Sequence, residues 1–347
     1  FNRVPELVEL LCEKIDQQDF KTYQLGTKMD PSTLERERTL WEKVEPSNAE
    51  PLKEEVNREV GKAFAIKVPE KDFDRSGADV IFIIDPMFNN VEAKKRPVFI
   101  YGRYEKLVRG IPQTRWICKR CHGKGCERCQ GKGRMYETSV EEEIGGIIVK
   151  ELKGSNFKLH GKGREDVDVL CTGRGRPFIL EISEPVIRSI ELDIMEDMIN
   201  ERDDPKVKVH ELRWSSRKEV PIIKKGDTYK RYSAVISSPC GLDEENLKYK
   251  VQLLAQRSIS QRTPRRVSHR RADLVRKRRV HEIFFEMMDG GRARIDLLTD
   301  GGLYIKELLH GDQGRTQPNL SSILEREIVV YSLDVTDVME EKDPVQE

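Results

Sequence analysis

The sequence predicts an α+β chain of more than one domain, and three observations carry that reading. At 347 residues it exceeds the roughly 250–300 residues over which single cores grow. Residues 1–66 carry helical apolar spacing, whereas much of the chain beyond them breaks into short apolar runs separated by glycine, the pattern of strands and turns. Four cysteines stand within residues 118–129, a spacing that suits a metal better than scattered disulfides. The expected division is an accessory region over 1–110, a metal knuckle over 111–136 and a larger domain over 137–347.

Composition narrows the class. Lys and Arg number 62 against 61 Asp and Glu, so the distribution of charge says more than its sum. No window approaches the ~18–20 apolar residues of a membrane span, and no signal-peptide core stands at the N-terminus. The expectation is a cytoplasmic monomer without membrane contact. The first residue is Phe1 rather than Met, so the native start is expected to be missing.

In the accessory region Val4, Leu7, Leu11 and Ile15 predict one helix, and Leu52, Val56, Val60 and Phe64 another. Asp30-Pro31-Ser32 and Glu45-Pro46-Ser47 are breaks. Strand-like runs over 78–84 and 98–101 come next, separated by a polar loop. Helices leading into short strands make a small α/β unit without an evident catalytic constellation, expected to position RNA or to serve as a scaffold. With no Walker loop and no GxGxxG turn, no nucleotide or other organic cofactor is expected.

Residues 118–133 read CKRCHGKG-CERCQGKG. Cys118, Cys121, Cys126 and Cys129 supply the four thiolates of a closed, structural Zn²⁺ site, and the glycines permit the turns around it. The repeat resembles two CxxCxGxG units of the DnaJ-type chaperone zinc region, without a J-domain. Six Lys and Arg residues in and beside it (119, 120, 124, 128, 132 and 134) suit contact with phosphate.

The larger domain opens with a helix over 139–152, capped by Ser139. Gly161–Glu181, GKGREDVDVLCTGRGRPFILE, predicts a hairpin: a strand over 167–170, a turn at Gly173-Arg174-Gly175 and a strand over 177–182. Strand alternation would put Arg164, Asp166 and Asp168 on one face. An aspartate held ionised by a neighbouring arginine suits a nucleophile or an acid/base group, and equally suits a plain ion pair on a solvated edge. A helix over 187–200 should bury Ile187, Ile190, Ile194 and Met198. A strand over 228–236 carries Tyr229 and Tyr232, the latter flanked by Lys230 and Arg231 and able to pack or to stack on a base. Residues 257–279 hold ten Lys and Arg against one Asp, a bias that points to phosphate contact, in ordered strands rather than a tail. A strand over 292–298 then runs through Gly301-Gly302 into a helix and HGDQGRTQPNL.

Three blocks in this order, GRED with its adjoining GRPFILE strand, TPRRVSHRRADLVRKR, and GGLYIKELLHGDQGRTQPN, resemble the tenth family of archaeal and eukaryotic tRNA pseudouridine synthases. The resemblance covers roughly residues 90–335. It implies a mixed, mainly antiparallel pseudouridine synthase sheet with flanking helices, preceded by a THUMP-containing domain, and isomerisation of uridine in the T arm of tRNA at positions 54 and/or 55. The family's catalytic aspartate falls on Asp166 and the motif's basic residue on Arg164. The base-stacking tyrosine falls on Tyr232, with Tyr229 as a rival, and the last motif on Ile305 and Lys306. Lysine stands there where several related families carry arginine, so a point charge replaces a fork in pairing with Asp166. Arg265, Arg266, Arg270, Arg271 and Arg276 are expected to hold the tRNA backbone. A further CxxC segment that the family commonly carries is lacking. The competing class is a non-catalytic zinc-containing RNA-binding or chaperone-like protein, which leaves the GRED and GGLYIKELLHGDQGRT blocks unexplained.

Overall fold

The computed structural model describes residues 2–15, 18–45, 48–225, 228–255 and 257–340, the side chains of Arg270 and Glu340 excepted. They form two compact units: 1–98 with 148–158 and 181–191, and 99–147 with 159–180 and 192–347.

In the first unit the chain runs through α1 (Val4–Ile15), β1 (Thr22–Thr27), α2 (Pro31–Val44), α3 (Leu52–Lys67), β2 (Asp72–Phe73), β3 (Val80–Asp85) and β4 (Asn90–Lys95). The predicted spacing holds: Leu7 and Leu11 of α1 and Val60 and Phe64 of α3 are buried together with Phe82 and Ile84 of β3. Asp30 marks a helix start, because its carboxylate accepts the Thr33 N–H and satisfies one of the free donors of the first turn. In the second predicted break, Pro46 and Ser47 lie outside the described residues. The sheet order is β2-β1-β3-β4, with β1 parallel to both its neighbours and β4 antiparallel to β3. The expectation of a largely helical 1–66 missed β1, and the polar loop after β3 contains β4. Only Val91 of β4 is buried, so pairing with β3 rather than apolar content makes this strand.

The remaining elements are β5 (Val98–Lys106), α4 (Val140–Glu151), β6 (Asn156–Gly161), β7 (Leu170–Ser183), α5 (Leu192–Asn200), β8 (Val207–Ser215), α6 (Glu219–Lys225), β9 (Thr228–Ser237), α7 (Glu244–Val251), β10 (Ser258–Arg262), β11 (Val275–Met288), β12 (Arg292–Asp300), α8 (Ile305–His310), β13 (Thr316–Gln317), α9 (Leu320–Leu324) and β14 (Val329–Glu340). Among the described residues they build a ten-stranded sheet, ordered β13-β10-β11-β12-β9-β14-β7-β5-β8, with β6 paired to β7. Neighbours from β13 to β14 pair antiparallel, as do β5 and β8, while β14 meets β7 in parallel. The core of this unit buries Ala234, Ile236, Ile283, Ile295 and Val338 of the sheet with Leu247, Leu308 and Leu320 of α7, α8 and α9.

Two expectations need correction. The stretch 167–182 is not a hairpin. β7 is one continuous strand, and residues 162–169 form the loop that joins β6 to it. Gly173, read as a turn residue, sits inside β7 with φ of +71°, where a Cβ would collide with the Thr336 carbonyl. It serves close approach of neighbouring backbone rather than chain reversal. Strand alternation therefore does not govern Arg164, Asp166 and Asp168. The helix expected over 187–200 begins only at Leu192 and buries Leu192, Met195 and Ile199, leaving Ile194 and Met198 exposed. Residues 187–191 are not helical, so the predicted four-residue face has no single helix to lie on.

Candidate active site

The loop 162–169 is fixed almost residue by residue from beneath. Arg176 of β7 donates to the Lys162 carbonyl at 2.9 Å, and Gln113 to the Gly163 carbonyl at 3.0 Å. The buried Lys106 ammonium donates to the carbonyls of Ile111, Asp166 and Val167 at 3.0–3.1 Å. Arg109 reaches the Asp168 carbonyl at 2.6 Å and the Asp334 carboxylate at 2.8 Å. A loop with so many of its carbonyls engaged keeps its side chains where it puts them.

Glu165 is the keystone below. Its carboxylate accepts the Tyr104 hydroxyl on both oxygens at 2.9 Å and pairs with the Arg176 Nε at 2.8 Å, with the two charged side chains 0% and 1% exposed. Gln113 completes the network by donating to the Tyr104 oxygen at 2.8 Å. Burial pushes the Tyr104 hydroxyl well above the usual phenol range, and the Glu165 charge beside it adds to the shift. Burial also lowers the Lys106 ammonium. Lys230 of β9 lies under the same loop, its Nζ 3.0 Å from where a Cβ on Gly163 would stand. Burial, reinforced by the Arg176 charge, draws this ammonium down to about 7. Glu165, Asp166 and Asp168 thus sit in succession with different fates, the first buried, the second half-buried and the third exposed.

Asp166 faces outward, and its partner is neither of the two expected. Arg266, from the 3-10 turn Arg265–Arg270, donates from one terminal nitrogen to Asp166 Oδ2 at 2.6 Å. Lys306 pairs instead with Asp168 at 2.7 Å. Desolvation acts against it, yet this contact with Lys306 holds the Asp168 carboxyl below the usual range. Arg164 lies over the Trp116 ring, 5.6 Å from its centroid. Both Arg164 and Asp166 stand on the loop rather than on a strand, so the alternation expected to put them on one face does not apply.

The tyrosines divide by strand parity. Tyr232 is buried among Cys171, Leu297, Ile305 and Val335, on the face of β9 that carries Lys230. Burial raises its hydroxyl to about 12. Tyr229 points to the other face, with its ring edge-on to His281 at 5.1 Å. Ile305 is 2% exposed in the same core as Tyr232.

The basic segment is ordered, as expected, in β10 and β11 with the 3-10 turn between them. Its arginines divide between solvent and structure. Arg271 is exposed, and Arg265 is exposed while its backbone N–H donates to Asp312 Oδ2 at 3.1 Å. Arg276 donates to the Thr263 hydroxyl at 2.9 Å. The Arg270 side chain lies outside those described.

In the cysteine knuckle the Sγ atoms of Cys118, Cys121, Cys126 and Cys129 all lie within 4.8 Å of one another. Three of the separations are 3.7–3.8 Å, close to the roughly 3.8 Å edge of a tetrahedron built on Zn–S bonds of about 2.3 Å. Cys126 and Gly133 direct backbone N–H groups at Cys129 Sγ, both at 3.2 Å. Against a burial penalty, they bring its thiol down to about 6. The set fits a metal ion. No helix among the described residues is long and apolar enough to cross a membrane.

Sequence reasoning missed Lys106, Tyr104, Glu165, Arg176, Lys230 and Glu307 as parts of the site. Arg176 stands just before the apolar run of residues 177–180, and only the structure shows that it is buried with them, where a charge requires a buried partner.

A family model described as the Pus10 C-terminal region matches residues 99–339, and another, the archaeal Pus10 THUMP domain, matches residues 7–85. Among curated proteins, the tRNA pseudouridine synthase Pus10 of Methanothrix thermoacetophila is 42% identical over 336 residues, 97% of this chain and 74% of that protein. The protein of the same name from Methanothermobacter marburgensis is 42% identical over 347 residues, 98% of this chain and 84% of its own. That of Halorubrum lacusprofundi is 39% identical over 350 residues, covering 98% and 82%.

Proposed function

Because the chain belongs to the Pus10 family, we propose that it isomerises uridine to pseudouridine in the T arm of tRNA, at position 54, 55 or both, with Asp166 as the catalytic residue. The observation that carries the assignment is the outward-facing Asp166 carboxylate on a loop whose backbone is held at every carbonyl from residue 162 to 163 and from 166 to 168. The reaction breaks the N1–C1′ bond, turns the uracil and joins C5 to C1′; C5 gives up its proton and N1 gains one, so nothing is lost overall. It needs no redox partner and no group donor. One carboxylate acts at the ribose, either adding to C1′ or removing the C2′ proton. The target nucleotide leaves its stack to reach that carboxylate. Tyr232 is assigned to the extruded base, with Tyr229 as its rival, and Ile305 packs in the same core as Tyr232, while Arg265, Arg270, Arg271 and Arg276 lie on the segment assigned to the RNA backbone. Arg164 and Lys306 border the site through Trp116 and Asp168. The four cysteines hold a structural Zn²⁺ that fixes the fold of the knuckle, and cysteines outside disulfides fit a reducing, cytoplasmic compartment.

Purified protein incubated with an unmodified tRNA transcript should generate a carbodiimide-dependent primer-extension stop in the T arm, and Asp166→Asn should abolish it while retaining tRNA binding. An Asp166→Asn protein with near-normal turnover would remove the assignment.

A further inference from the structure

We infer that Arg266 is the positioning residue of this site, a guanidinium seated by Glu307 and Tyr304 so that it holds one oxygen of Asp166 and leaves the other for the ribose. The inference rests on Asp166 being the catalytic residue. Three contacts define the seat. The Nε of Arg266 meets Glu307 Oε1 at 2.6 Å and a terminal nitrogen reaches Oε2 at 3.4 Å, a two-point contact with a carboxylate only 1% exposed. The Tyr304 ring lies against the guanidinium, 5.8 Å from centroid to Cζ. The remaining terminal nitrogen then points at Asp166 Oδ2, at 2.6 Å. Among the described residues, Asp166 Oδ1 accepts no hydrogen bond.

The backbone under Arg266 is equally fixed, and by the same stretch of chain. Gln261 donates to the Tyr304 carbonyl at 3.0 Å and accepts the Tyr304 N–H at 2.8 Å. Arg315 donates to the Thr263 carbonyl at 2.6 Å, and Asp312 accepts the Arg265 N–H at 3.1 Å. The block GGLYIKELLHGDQGRT is thereby given a use beyond its lysine: it clasps the TPRR segment and sets the angle of one arginine. A fork is required. The Nε edge satisfies Glu307 while the far nitrogen serves Asp166, and a lysine has one charge centre with which to serve both. Lys306 is meanwhile engaged with the exposed Asp168.

The competing account of Arg266 is that of its neighbours, contact with a tRNA phosphate, and the two accounts separate cleanly. The experiment measures the single-turnover rate at saturating tRNA, the tRNA Kd as a function of salt, and the thermal midpoint for wild type, Arg266→Lys, Arg266→Gln, Glu307→Gln and Asp166→Asn. Misplacing a reacting group by about 1 Å costs on the order of 100-fold. Arg266→Lys and Arg266→Gln should therefore each lose about 100-fold in saturated rate, with Kd within about threefold of wild type. Glu307→Gln, which leaves the guanidinium in place without its anchor, should lose rate in the same direction with Kd unchanged. A phosphate contact predicts the reverse. Arg266→Gln would then weaken binding and lower the salt slope by about 0.7–0.9, the saturated rate would stay within threefold, and lysine would restore everything. That pattern overturns the inference and leaves Asp166 in place. Product formation that survives Asp166→Asn would overturn the catalytic assignment itself, and the role of Arg266 with it.

Discussion

Replacing Glu165 by glutamine removes one buried charge and almost no volume. In the native protein the Glu165 carboxylate faces Arg176 at 2.8 Å with both side chains out of solvent. Glutamine still offers Tyr104 an oxygen, so that hydrogen bond loses only its charged share, roughly 1 kcal/mol. The larger cost falls on Arg176, left with the Lys162 carbonyl at 2.9 Å and with the positive neighbours Lys106 and Lys230. Removing one partner of a buried pair costs about 3–5 kcal/mol, so a loss of about 4 kcal/mol is expected. For a unit of this size each kcal/mol moves the midpoint by about 2–4 °C, giving a fall of roughly 8–16 °C. Urea unfolding followed by far-UV circular dichroism and by tryptophan fluorescence provides the assay, since Trp116 and Trp214 both lie in the larger unit. The control is the double variant Glu165→Met with Arg176→Met. Exchange of a whole buried pair for apolar side chains is often near neutral, so it should stand within about 2 kcal/mol of wild type. A Glu165→Gln protein that loses less than about 1 kcal/mol, or a double variant with the sum of two large losses, would refute this account of the network.

Lys230 predicts an unusual dependence on pH. Its folded-state value, about 7, lies below that of an unfolded lysine, so the unfolded chain holds the extra proton between about pH 7 and 10.5 and stability should rise with pH across that window, by at most about 5 kcal/mol. Arg176, Lys162, Glu165 and Cys171 surround the group, and burial of the Cys171 thiol, raised to about 11, acts against the rise above about pH 9. Urea midpoints at pH 6, 7.5 and 9 should show Lys230→Met stabilised most at pH 6 and the slope flattened; an unchanged slope counts against a buried ammonium. For the knuckle, metal analysis should return one ion per chain, with four thiols becoming reactive on chelation and Cys126→Ser losing the ion; four thiols that react freely beforehand would argue against a closed site.

The sequence showed some of this site and hid the rest, for physical reasons. Helical periodicity found α1 and α3 because their cores are local, and the four cysteines were legible because metal ligands keep short spacings. β4 was hidden, since its residues are polar and its strand state depends on β3. The GRGR segment misled because glycine marks a turn and a close approach alike, and only the position of Thr336, more than 150 residues away, distinguishes them. Asp166 was singled out through resemblance, and its pairing with Arg266 was missed for a related reason. The pairing of Arg266 with Asp166 spans 100 residues, and among ten basic side chains in one segment nothing local singles out the one that reaches Asp166. Glu307, next to Lys306, carried a signal that was passed over: an acidic residue on the buried face of a short helix implies a cation reaching it from elsewhere.

The division of the chain into its two units bears on the order in which the protein can be made. The smaller unit draws on 148–158 and 181–191 as well as on 1–98. The later segment is tied in by Arg188, whose backbone N–H meets the Asp19 carboxylate at 2.8 Å and whose guanidinium pairs with Asp79 at 3.1 Å. During synthesis at ~5–20 residues per second, residues 1–98 emerge before the rest of this sequence yet must wait several seconds for the strap that finishes them. By then β5 and the cysteine knuckle have left the ribosome too. Maturation of the two units is therefore interleaved, and a ribosome stalled shortly before residue 181 would present a nascent chain in which neither is complete.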